Sequence, residues 1–265
     1  MSAALDPPRA MARRALDNPA FSWDSTGTAK VTLYFQRDSF AATRAAALLV
    51  EAEMHLEHAQ TLLGEPSFPH HLRVFYVESR EEMAVLTGQT RGSTGLADFE
   101  SATVAVVLNG EKRRGAERHE IMHIVSTMRW GQPAGARTLE EWLPGGWLRE
   151  GLATYADNYC GSSTIRETAL AMYKAGDIIP VDSLANAFLN QDDLSAYIQA
   201  GTLMQYLIET EGIEKYRLFW EGGNASFETV YGRSLDILEA AWHAWLNNTP
   251  AHEQPDLANL KANGC

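Results

Sequence analysis

The chain has 265 residues, 45% of them hydrophobic, and a formal net charge of −12. That length suits one compact unit with two lobes, the acidity argues against nucleic acid or an anionic membrane as partner, and no apolar run reaches transmembrane length. Cys160 and Cys265 could form one disulfide, but the sequence does not decide whether they pair.

Residues 1–27 read as a tail. Pro7-Pro8-Arg9 and Arg13-Arg14 leave no room for an apolar signal core. This fits a cytoplasmic protein, or an exported one whose leader has been removed. Val31 to Phe35 reads as a strand, and an alanine-rich helix is predicted over about 40–63. His55 and His58 stand at i and i+3 on that helix; with no third ligand nearby they are taken as its polar face. A second strand spans Leu72–Val77, a short helix starts at Arg80, and Thr103 to Leu108 is a third strand, rich in β-branched residues. Asn109-Gly110 marks a turn. Everything after residue 111 reads as helices, and residues from about 249 as a polar tail. The fold class is therefore α+β: a small N-terminal mixed sheet with helices, residues 28–110, and a C-terminal helical lobe, residues 111–248.

The helix predicted from Glu111 to Arg129 carries His119-Glu120-Ile121-Met122-His123, an HExxH motif. Positions i and i+4 share one helix face, so both imidazoles can reach one metal ion. Glu120 follows the first of them and can reach a water on that metal. A Lewis acid and an adjacent base are what metal-assisted hydrolysis requires. By chance the motif arises in roughly one chain in a hundred of this length. Apolar Ile121, Met122, Ile124, Val125 and Met128 surround it, and unpaired His and Glu would be costly to bury there. Gly131 and Pro133 then stop the helix.

A hydrolytic zinc needs a third protein ligand. In Trp142-Leu143-Pro144-Gly145-Gly146-Trp147-Leu148-Arg149-Glu150-Gly151-Leu152-Ala153-Thr154-Tyr155, Pro144 and the paired glycines look like a helix entry, the helix running to about Tyr159. Glu150 comes 27 positions after His123, and Gly151 would allow close approach of this helix to the motif helix. Glu150 could also be a favourable acid near a helix N-terminus; coming after the HExxH motif, it is read as the third ligand.

HExxH followed by W-L-x-E-G-x-A-x-Y resembles the gluzincin metallopeptidases, and most nearly the peptidase-MA-like group, distantly similar to thermolysin and the aminopeptidase N family. The paired motifs cover about residues 117–157, with weaker likeness over 28–248. The resemblance implies a zincin-like fold, a single catalytic domain at 28–248, a bound zinc, and peptide or protein as substrate. It makes Glu150 the third ligand beside His119 and His123, and Glu120 the general base. Tyr197-Ile198-Gln199-Ala200-Gly201, with Tyr206-Leu207 beyond it, is similar to a helix of the aminopeptidase N family whose first tyrosine faces the developing oxyanion. That role falls to Tyr197; Tyr206, among Leu203, Leu207 and Ile208, is read as packing. Ala200 stands where the family usually has Gly.

Zinc-bound histidines give their other N–H to a carboxylate or carbonyl. Thermolysin-like enzymes place an Asp one turn after the third ligand, where this chain has Thr154. Asp157 lies one turn further and is preferred for its charge. The family also pairs substrate with an edge strand before the motif helix, here about Gly92–Phe99. Gly95-Leu96-Ala97-Asp98-Phe99 lacks the Met, Glu and Asn of the aminopeptidase G-x-M-E-N motif, so Asp98 is read as a turn residue and an endo- or oligopeptidase is expected. The stretch Ser234 to Leu246 resembles the end of such a domain; its Trp and Leu pattern is core packing and His243 is no ligand. Two rival readings remain: hydrolysis of another bond by the same zinc machinery, and a non-catalytic zinc- or peptide-binding module of the same fold. The intact Glu120 speaks against the second.

Overall fold

A computed structural model describes residues 11–88, 93–110, 116–134, 142–250 and 255–265. The chain divides into two compact units, Met1–Met128 and Arg129–Cys265. The fold is α+β: a five-stranded mixed sheet precedes a helical C-terminal region.

The first unit begins with helix α1 (Met11–Asp17) and strand β1 (Trp23–Gly27). Both lie within the stretch expected to be a tail. Neither has a strong apolar period; β1 is held by antiparallel pairing with β2 (Val31–Gln36). Helix α2 (Phe40–Leu63) follows. Ser39 caps its start by accepting from Ala42 N–H, and Gly64 ends it in the left-handed region at φ 68°. Strand β3 (Leu72–Val77), helix α3 (Arg80–Thr87), and strands β4 (Gly95–Asp98) and β5 (Thr103–Val107) complete the sheet in the order β1-β2-β3-β5-β4. The strands β2, β3 and β5 are parallel; β1 and β4 run antiparallel at the two edges.

Burial follows that order. β5 is buried throughout and β3 nearly so, as central parallel strands covered on both faces must be. β2 alternates, with Val31, Leu33 and Phe35 inward. The register puts Tyr34, Phe75, Ala105 and Leu96 on one face. That face packs against Met11, Ala12 and Ala15 of α1 and Met83 and Leu86 of α3. Tyr76, Val106 and Gly95 share the opposite face.

The second unit takes the end of helix α4 (Glu117–Trp130) and then α5 (Trp142–Asp157). The expected start of α4 at Glu111 lies outside the described residues. Pro144 sits in the first turn of α5, inside the helix, where its missing N–H costs nothing. After α5, Asn158 turns into the left-handed region and a two-residue hairpin follows, β6 (Tyr159–Cys160) with β7 (Ser163–Thr164). This corrects the all-helical expectation and ends α5 short of Tyr159. The remaining helices are α6 (Ile165–Ala175), α7 (Val181–Ala187), α8 (Asp193–Glu211), α9 (Ile213–Gly222), α10 (Phe227–Tyr231), α11 (Leu235–Asn247) and α12 (Leu257–Asn263). α12 lies within the stretch expected to be a polar tail. Cys160 and Cys265 are joined by a disulfide, tying the hairpin to a point two residues beyond α12.

Large aromatics fill this unit. Trp147, Tyr216, Phe219, Trp220, Phe227 and Trp242 are nearly or fully buried, each such side chain contributing about 1.5–3 kcal/mol or more. Polar atoms of two of them are paired across the unit: Tyr216 donates to Leu148 O at 2.8 Å, and Trp147 Nε1–H donates to Asn224 Oδ1 at 2.8 Å. In α11, Leu238, Trp242 and Leu246 face inward at four-residue spacing, the expected packing pattern. His243 stacks beside Tyr173, and burial holds its pKa below the ordinary value.

Candidate metal centre

Helix α4 forms where apolar residues meet an acidic first turn. Glu117 and Glu120 suit the positive N-terminal end, Ile121, Met122, Ile124 and Val125 are fully buried, and Gly131 at φ 80° stops the helix. The same first turn meets the sheet. Tyr76 on β3 is buried near the Glu117 carboxylate; burial first, then that charge, hold its phenol well above the ordinary value. Glu120 lies against Gly95 on β4. Both strand positions belong to the face opposite α1 and α3.

His123 is buried and His119 half-buried, so neither is the solvated histidine of an ordinary surface helix. Their Nε2 atoms stand 3.0 Å apart, the rings nearly perpendicular. Two nitrogens on one tetrahedral zinc, at about 2.0–2.1 Å each, would stand about 3.3–3.4 Å apart. The observed spacing is close to that. A hydrogen bond between the two rings would give a similar distance. Glu150 adds a third group: His119, His123 and Glu150 each offer one ligand atom, all within 4.8 Å of one another, and together could hold a metal ion. Two imidazoles and one carboxylate are a donor set that zinc takes in hydrolytic sites. Neither cysteine competes, because each is bonded to the other.

Glu150 is held on α5 by its neighbours. Arg149, itself 3% exposed, places Nη2 3.0 Å from Glu150 Oε1. Sequence reasoning passed over this arginine, although a charged residue in so apolar a stretch as Trp147 to Leu152 is a usable signal. The close approach at Gly151, expected with the motif helix, is with α8: a Cβ there would stand 2.8 Å from both Ala200 O and Met204 Cγ. Gly201 repeats the device from the other side, against Thr154 Cγ2 at 2.7 Å. Thr154 is thereby packed on α8 as well as being a candidate partner for a histidine. Asp157 is the last residue of α5 and half-buried.

Tyr197 lies on α8, one turn before the Gly151 crossing at Ala200, its ring 5.2 Å from that of Phe188. Tyr206 packs edge-on against Trp245 and beside Arg233, as a packing residue would. β4 is an edge strand, as expected. Asp98 at its end accepts from Met11 N–H, Ser101 Oγ–H and Glu100 N–H, which makes it a turn and cap residue. Among the described residues no helix is long and apolar enough to cross a membrane.

No family model matches this sequence, and no curated protein does either. Among solved structures, the chain is similar to an aminopeptidase N family protein from Idiomarina loihiensis, at 12% identity and a TM-score of 0.38. The match covers 91% of this chain and 46% of that one, so the chain spans under half the length of that protein. A score this low carries no argument about function.

Proposed function

We propose that this protein is a zinc-dependent metallopeptidase of the gluzincin kind, with His119, His123 and Glu150 as metal ligands and Glu120 as general base. The observation that carries the reading is the convergence of two imidazoles from one helix with a buried carboxylate from another. When bound, zinc would polarise the scissile carbonyl and lower the pKa of a water. Glu120 takes the proton from the attacking water and passes it to the leaving amine. Tyr197 donates its hydroxyl to the oxygen on which charge develops. Asp157 or Thr154 steadies a histidine ring, and Arg149 steadies Glu150 by holding one of its carboxylate oxygens.

The edge strand supports a peptide as substrate. Val107 N–H donates to Thr94 O, so the next residue on β4, Gly95, turns its backbone groups away from β5. An extended chain can add there, sharing the Gly95 carbonyl with the Ser93 hydroxyl that already donates to it. Asp98 is occupied by its own turn and by α1, which favours an endo- or oligopeptidase over capture of a free amino terminus. The catalytic domain, expected at residues 28–248, would also take in α1 and β1, which pack against the same sheet and pair within it.

The test is hydrolysis of a mixed peptide library by zinc-loaded protein, with and without a carboxylate chelator. Cleavage that the chelator stops and added zinc restores is expected. A chain that binds zinc and cleaves nothing would instead be a binding module of this fold.

A further inference from the structure

Gly95 has a backbone that any residue could adopt, since its φ lies outside the left-handed region. Inside a strand, glycine forfeits side-chain packing and costs conformational entropy. Its presence on β4 therefore calls for a reason of space. The space is occupied by Glu120. A Cβ at position 95 would stand 2.4 Å from Glu120 Oε1, 2.8 Å from Cγ and 2.9 Å from Cδ. All three atoms at the end of that side chain lie where a side chain on the strand would begin. Glu120 is buried, 8% exposed, so a Cβ at position 95 would displace the carboxylate from the place the fold gives it. Position 95 is also fixed in the sheet: it faces Val106 across the ladder, and its carbonyl accepts from Ser93 Oγ–H at 2.6 Å.

We infer that Gly95 is the positioning residue for Glu120, the strand's missing side chain forming the seat in which the base is held. The catalytic half of this inference rests on the peptidase reading above; the contact itself does not. The seat sets where the carboxylate stands and leaves the metal ligands alone. Alanine at 95 fits the backbone but swings Glu120 out of place, and a misplacement of about 1 Å can cost about 10² in rate.

Two measurements on the full chain test this. The first is a thermal-unfolding cycle over Gly95→Ala and Glu120→Ala. With Glu120 removed, position 95 is an ordinary strand site, and Gly95→Ala should raise Tm by about 1–4 °C through the unfolded state. With Glu120 present, the rise should be lost or reversed. Equal shifts in both backgrounds would overturn the inference, whatever the chain's activity. The second measurement uses one peptide cleaved by the wild-type chain. Gly95→Ala should lower kcat about 10²-fold with KM, zinc content and the cobalt-substituted absorption spectrum unchanged. A normal kcat, or a loss that follows zinc content, would overturn the positioning role. A wild-type chain that cleaves no peptide overturns the peptidase reading and the catalytic half with it, and the unfolding cycle still decides the contact.

Discussion

The two units secure their polar side chains by opposite means. In the first, His119 and His123 are set by one stretch of helix, where a spacing of four residues brings the imidazoles together without help from distant sequence. In the second, Glu150 is a single carboxylate whose position depends on α5 crossing α8 at Gly151 and Gly201. Local periodicity specifies the imidazole pair; packing between segments about fifty residues apart specifies the lone carboxylate. The first arrangement should tolerate changes in the surrounding core better than the second.

The sharpest way to break this contrast is to remove ligands from each side. His123→Ala and Glu150→Ala should each abolish stoichiometric zinc binding, since two ligands do not complete a hydrolytic site. Metal analysis after zinc loading and dialysis reads the result; full occupancy in either variant would sink the ligand set. Glu120→Gln, which retains shape but accepts no proton, should keep zinc and lose nearly all hydrolysis. Wild-type turnover in that variant would refute the mechanism. Tyr197→Phe should lower kcat by about 10²–10³ with little change in KM, while Tyr206→Phe stays active. A larger defect in the second tyrosine would remove Tyr197 from the chemistry. The smallest expected effect tests the packing half directly. Gly151→Ala forces a Cβ onto the backbone of Ala200, which cannot swing aside as a side chain can, and should cost about 1–3 kcal/mol. Denaturant unfolding would show it, with zinc affinity falling in parallel; unchanged stability would mean the crossing is looser than its geometry implies.

Much of the first unit was legible because its patterns are local. The strands at 31–36, 72–77 and 103–107 are apolar runs, and α2 carries a capping serine and a terminal glycine at the expected ends. β1 was not legible: Trp-Asp-Ser-Thr-Gly has no strand pattern of its own and takes its conformation from β2. The hairpin of β6 and β7 is too short for any period to show. Of the candidate site, the HExxH pair and the glutamate could be named from spacing and likeness, but not what surrounds them. Gly151 announced a close approach, but the partner is α8 and not the expected motif helix. Gly95 stood in a motif comparison where attention fell on the residues that differed, and the side chain it makes room for lies 25 positions on. Contacts of that sort leave no mark in composition, because glycine records only that space is needed.

The tie between Cys160 and Cys265 bears on how the protein must be handled. Thiol reductants open such bonds, and their thiolates are also strong ligands for zinc. Dithiothreitol in a storage buffer would therefore loosen α12 and compete for zinc at the proposed site at once, and a loss of the proposed activity under it could be assigned to neither. The same holds for material made in a reducing cytosol, where disulfides are rarely kept. Preparations free of thiol, checked for the intact bond by mass under non-reducing conditions, are the ones in which a chelator speaks for the metal alone.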